Sequence, residues 1–174
     1  GNADRLEDAR LQNAETIDVN IEDPVAAARE LTGGIGPDRV IEAVGVDAET
    51  AEAGPAAPAD DDPATRRFAE EVRQVAPETN PRDGQWKPGD APSQALRWAV
   101  DAVAKAGTIG IVGVYPPSFE SFPMGKAMQR NLTIKSGNCN HRRYVPGLLS
   151  RIAAGRADPT TVVAQEEPMS DVMR

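Results

Sequence analysis

Residues 107–115 read Gly107-Thr108-Ile109-Gly110-Ile111-Val112-Gly113-Val114-Tyr115, a nearly continuous apolar run. A strand that is apolar on both faces belongs in the middle of a parallel sheet, with helices covering each side. The residues just before it supply one such helix. Ala95, Leu96, Ala99, Val100 and Val103 recur at helical spacing over Pro92 to Ala106, and Gly107 closes the run.

The same alternation extends in both directions. Upstream, Leu6 and Ala9 give a short helical pattern, and Asn13 stands where a left-handed C-terminal residue is wanted. Glu15 to Val19 (ETIDV) is a short β-prone run, and Asp23-Pro24 is an N-cap and first-turn pair for a helix with Val25, Ala28 and Leu31 on one face. Gly33-Gly34-Ile35-Gly36-Pro37 stops that helix, and Asp38 to Val44 (DRVIEAV) reads as the next strand, ending at Gly45. Downstream come a helical stretch around Pro123 to Arg130, a strand at Leu132 to Lys135, and a helix from Tyr144 to Ala154. Its apolar face is Val145, Leu148, Leu149 and Ile152, and Gly155 is its stop. Thr161 to Gln165 is strand-like, and Pro168 to Asp171 looks like the start of another helix. Both ends of the chain read as cut. Strands alternating with helices of this length predict an α/β fold with a parallel sheet.

Between Val46 and Ala91 the composition shifts to Ala, Pro, Asp and Glu, with Asp60-Asp61-Asp62-Pro63 as an acidic knot. One helix is expected there, carrying Phe68, Val72 and Val75. A loop this long inside a compact domain is uncommon unless functional or disordered, so 46–91 is expected to be an insertion in partial disorder. The expected organisation is therefore 1–45, the insertion at 46–91, the continuation at 92–160, and a departing segment at 161–174.

The chain's 174 residues suit a single domain. Hydrophobic residues make up 40 % and aromatics only 4 %, so the core must be built from Ala, Val, Ile and Leu. Nineteen Lys and Arg against 27 Asp and Glu leave a net charge of -8, which argues against nucleic acid or an anionic membrane as partner. The single cysteine, Cys139, permits no intrachain disulfide, and a cytoplasmic location is the natural expectation. No apolar run approaches the roughly 20 residues that span a bilayer.

The order ETIDV, DPVAAARELTGG, PDRVIEAVG, helix, AGTIGIVGVYPP resembles the second half of the Rossmann domain of medium-chain, zinc-dependent alcohol dehydrogenases. The tail, with Phe122-Pro123-Met124-Gly125-Lys126 and Gly137-Asn138-Cys139-Asn140-His141-Arg142-Arg143-Tyr144, resembles the formaldehyde-dehydrogenase-like branch. The resemblance implies a partial doubly wound parallel sheet that lacks its first strand and glycine-rich turn. It further implies the NAD-binding portion of an enzyme that passes a hydride between a small alcohol or aldehyde and the nicotinamide, with zinc as Lewis acid. This stretch, with one Cys and one His, carries neither zinc site of the family and is expected to be inactive alone. The ribose-binding acid would fall immediately before Gly1. Paired sheets in the family imply a homo-oligomer joined through a sheet edge, with the strand at Thr108 to Tyr115 and the next one as candidates. Two other readings stand beside this one: a non-catalytic half-Rossmann interaction module, and a zinc-free enzyme of the quinone-reductase type.

Carried over residue by residue, the resemblance places Asn2 and Arg5 by the adenosine ribose; otherwise they are solvated helix residues. Val44 and Gly45 at the end of one strand, and Val112, Gly113 and Val114 at the end of another, would line the cofactor crevice. There the Val112 and Val114 backbone would meet the carboxamide, and Gly113 would allow close approach. Otherwise these are ordinary strand core. Gly137, Asn138 and Cys139 would close over the nicotinamide, or form a plain turn. Cys139 and His141 invite a zinc reading, but two ligands two residues apart do not make a tetrahedral site, and no metal site is expected. Gly33 to Gly36 lies between a helix and the following strand, the wrong order for a phosphate loop, and reads as a helix stop.

Overall fold

The computed structural model describes residues 2–59, 61–76 and 87–162. In chain order the elements are α1 (Ala3–Leu11), α2 (Pro24–Glu30), β1 (Arg39–Glu42), α3 (Pro63–Val75), α4 (Gln94–Ala102), β2 (Thr108–Ile111), α5 (Met124–Gln129), β3 (Thr133–Ser136) and α6 (His141–Ala153), with 3₁₀ turns at Gly45–Asp47 and Pro159–Val162. They fall into two compact units, 17–138 and 2–16 together with the segment from Cys139 onward.

The first unit is α/β. Its three strands are parallel, in the order β1-β2-β3. Val40, Ile109 and Ile134 stand in one row across the sheet. Ile109 is completely buried against Ala99, Val100 and Val103, with Val40, Ile111, Phe122 and Leu132 closing around it. Full burial of a branched side chain contributes about 1.5–3 kcal/mol, so the α4–β2 seam supplies much of this unit's stability. Helix α2 joins the same layer through Arg29, whose guanidinium donates to the Asp101 carbonyl at the end of α4.

Three elements depart from expectation. Among the described residues, the run Glu15 to Val19 pairs with no strand. Asp18 takes its place as a turn former: its carbonyl accepts from Ile21 and Glu22, and its side chain accepts from the Asn20 amide. Local capture of this kind competes with a sheet ladder, and no neighbouring strand offers one here. Helix α4 ends at Ala102 rather than Ala106, because the Ala104 amide donates to the Pro37 carbonyl and Ala106 turns through φ 60°. Pairing of β2 stops at Ile111, because the amides of Val112 and Gly113 both converge on the Glu42 carbonyl. In addition, β2 is paired on both sides, so of the two strands expected as joining edges only the next one, β3, presents an edge; among the described residues the other edge strand is β1.

The segment 46–91 returns to its own starting point. The amides of Gly89 and Ala91 donate to the carbonyls of Val46 and Ala48 at 3.0 and 2.9 Å, and Asp90 accepts from the amide and hydroxyl of Thr50. Between these ends α3 starts at a cap: Asp62 accepts from the Ala64 amide, and Pro63 occupies the first turn. Phe68 and Val75, two of the three residues expected to form its apolar face, are buried. Residues 60 and 77–86, over which the expected partial disorder also extends, lie outside the described residues.

In the second unit, Asn2 caps α1 by accepting from the Arg5 amide, and Asn13 adopts φ 60° just beyond the helix end. Helix α6 begins three residues before Tyr144 because Asn140 accepts from the Arg143 amide. The expected strand at Thr161 to Gln165 starts inside the 3₁₀ turn, and its remainder, with most of 161–174, lies outside the described residues. Among the described residues no helix is long and apolar enough to cross a membrane.

Candidate functional site

The carboxyl ends of β1 and β2 bring two of the candidate stretches together. Gly45 turns through φ +70°, and the Val46 amide donates to the Val114 carbonyl at 3.1 Å. A methyl group added at Gly45 would lie 2.5 Å from the Val114 nitrogen. One added at Gly113 would overlap the Gly45 nitrogen and a Glu42 carboxylate oxygen, and would lie 2.7 Å from the Gly45 Cα. The two glycines therefore pack backbone to backbone, which only residues without Cβ allow. Val112 and Val114 flank this contact and are exposed to 63 % and 75 %.

Glu42 holds the arrangement and was not among the residues singled out from sequence. It is 97 % buried at the last position of β1 (3 % exposed), and its Oε1 accepts from the amides of Val44 and Gly45 at 2.8 and 2.7 Å. Its Oε2 is buried beside Gly113 and makes no hydrogen bond of normal geometry. The Tyr115 hydroxyl faces the same carboxylate. Burial first, and then the charge and hydrogen-bonding capacity of Glu42, push the Tyr115 phenol well above its ordinary range. A carboxylate that accepts two backbone amides fixes the chain where strand gives way to loop. The signal was present in the sequence: an acid inside the apolar run VIEAVG has to find partners if it is buried.

The other candidates lie elsewhere. Gly137 and Asn138 follow β3 on the first unit and are exposed. Cys139, an exposed free thiol, belongs to the second unit with Asn2 and Arg5, both on the exposed start of α1. Among the described residues no group of three or more His, Cys, Asp or Glu side chains is placed to hold a metal ion. Gly33 and Gly34 close α2, their amides donating to the carbonyls of Glu30 and Arg29. An open apolar groove of about 350 Å³ runs along the free edge of β1, between Val25 and Ala28 of α2 and Trp98 and Ala102 of α4.

Against known proteins, no family model matches the chain. It is 42 % identical over 77 residues to an uncharacterized zinc-type alcohol dehydrogenase-like protein, AdhB, of Bacillus subtilis, a match covering 44 % of this chain and 20 % of that protein. It is 30 % identical over 73 residues to a zinc-type alcohol dehydrogenase-like protein of Schizosaccharomyces pombe, covering 42 % of this chain and 17 % of the relative. Among solved structures, alcohol dehydrogenase TADH from Thermus sp. ATN1 superposes with a TM-score of 0.60 at 26 % identity, covering 94 % of this chain and 35 % of that one. The likenesses are to zinc-type alcohol dehydrogenase-like proteins in sequence and to an alcohol dehydrogenase in structure. An NAD-dependent alcohol dehydrogenase shares the fold, with a TM-score of 0.55 at 18 % identity, over 91 % of this chain and 33 % of its own. The chain thus spans about a fifth of the length of the curated relatives it matches and about a third of that of the solved structures.

Proposed function

We propose that residues 17–138 form the nicotinamide-holding part of a dinucleotide-binding domain, in an oxidoreductase that interconverts a small alcohol and its carbonyl compound. The observation that carries this reading is the contact of Gly45 with Gly113 at the carboxyl ends of adjacent parallel strands, where open α/β sheets bind their ligands. The groups present suit a flat amide-bearing ring. The Val112 amide is engaged by Glu42 and the Val114 carbonyl by Val46, so a carboxamide would meet the Val112 carbonyl and the Val114 amide. Exposed Val112 and Val114 side chains offer apolar surface to the ring. Gly137 and Asn138 would approach it from the loop after β3.

NAD bound at these strand ends would supply the hydride acceptor, and zinc, held by residues outside this stretch, would supply the Lewis acid. The residues of this chain position and shield. Glu42 keeps the loop after β1 closed against Gly113, and Gly113 keeps side chains out of the ring's path. The resemblance of the tail to the formaldehyde-dehydrogenase-like branch makes a small aldehyde the substrate class to test first. The complete gene product is expected to reduce NAD with short alcohols, and a chelator is expected to abolish this activity. Turnover that survives chelation would favour the zinc-free quinone-reductase type of enzyme.

A second reading rests on a different feature. The free β1 edge, with Ile41 exposed to 76 % beside the apolar groove, suits acceptance of a further strand, whether from another part of the protein or from a second copy. A cooperatively folded product that ignores NAD would favour it.

A further inference from the structure

Away from the crevice, α3 and α4 enclose a charge cluster that the proposed function does not use. Glu71 of α3 is 1 % exposed, and both its oxygens are engaged by Ser93: Oε2 by the amide at 3.1 Å and Oε1 by the hydroxyl at 2.9 Å. Arg67 Nε and Arg97 Nη2 each lie 3.8 Å from that same Oε1, close enough for charge attraction but beyond hydrogen-bonding distance. Arg97 spends its Nε on the Ser93 hydroxyl, and Arg67 Nε is buried without an acceptor. Two guanidinium groups therefore converge on one carboxylate that already accepts from Ser93 at both oxygens. Among the described residues no second carboxylate comes within ion-pair distance of either.

We propose that Arg67 and Arg97 form a binding site for a phosphate-type oxyanion at the junction of α3 and α4. Their side chains remain 39 % and 27 % exposed. The Arg67 guanidinium is steadied over the Phe68 ring at 5.1 Å, and Arg97 is steadied by Ser93. Preorganised planar donors of this kind suit tetrahedral oxyanions, which accept several N–H groups at once. Burial, and then repulsion from Arg67, push the Arg97 guanidinium down, against the pull of Glu71 and Asp101; an anion between the two arginines would relieve that repulsion. Bound there, it would clamp the helix of the 46–91 segment to α4.

The test titrates inorganic phosphate and phenyl phosphate into the chain at constant ionic strength, following the arginine Nε–Hε signals by NMR with sodium chloride as the reference. Saturable shifts of the Arg67 and Arg97 signals are expected, with the tighter of the two probes telling free phosphate from a phosphate ester. Arg67→Gln is expected to weaken binding about tenfold or more, the range for a lost charge-assisted hydrogen bond, while leaving the chain folded. Arg73→Gln, which disturbs only the exposed Arg73–Glu70 pair on the same helix, is expected to bind as the parent does. Shifts no different from those with chloride, or equal affinity in Arg67→Gln, would overturn the proposal.

Discussion

Replacing Gly113 with alanine is expected to lower the unfolding free energy by about 3 kcal/mol, the upper end for forcing an extra carbon into a packed site. The new Cβ would overlap the Gly45 backbone, which cannot rotate away, and the Glu42 carboxylate, which could move only by giving up the two amides it accepts. Relief requires the loop after β1 to lift off β2. That would break the Val46–Val114 hydrogen bond and strain the two amide bonds that Glu42 accepts. For a chain of this size the loss corresponds to roughly 6–12 °C in melting temperature. Gly110→Ala is the control in the same strand: its Cβ would meet only the Val40 carbonyl at 3.9 Å, so the change is expected to be small. Urea denaturation of the two variants side by side checks the pair. Similar losses in both would mean that the β1–β2 terminus is looser than the glycine contact implies.

Removal of the Glu71 carboxylate should be about as costly. Breaking a buried ion pair from one side costs about 3–5 kcal/mol, because the partner charge is stranded. The lower end applies to Glu71→Ala, since Arg67 and Arg97 reach water and can rehydrate, while the Ser93 amide and hydroxyl lose their acceptor inside the protein. The expected loss is therefore about 3 kcal/mol. Glu71→Gln keeps an oxygen for Ser93 and removes only the charge, so roughly half that loss is expected. Equilibrium denaturation distinguishes the two variants. An alanine variant as stable as the parent would mean that α3 contributes nothing to the packing of α4.

These two sites differ in how far they could be read from the residues. The order of helices and strands was legible because apolar residues at helical spacing, such as Leu96, Ala99, Val100 and Val103, end at a glycine before the apolar run of β2. Ile109 is buried, as a residue of a central parallel strand should be. The pairing of Val44 and Gly45 with Val112 to Val114 followed from placing both stretches at strand ends. Strand identity at Glu15 to Val19 was not legible, because β-propensity is realised only beside a partner and Asp18 offered a local turn in its place. Glu42 and Glu71 escaped notice for a shared reason. A glutamate in sequence reads as surface, and only the fold shows amides or a serine aimed at its oxygens. Likewise nothing in the spacing of Arg67 and Arg97, 30 positions apart, announces that both reach one carboxylate.

The most direct test of the account is amide hydrogen–deuterium exchange on the complete gene product, with and without NAD. If the strand ends hold the nicotinamide, NAD will slow exchange at residues 44–46 and 112–114, with smaller effects at 137–138, and will leave α3 unchanged. Protection confined to other segments, or none at the Gly45–Gly113 contact when NAD is bound, would contradict the assignment of this crevice to the cofactor.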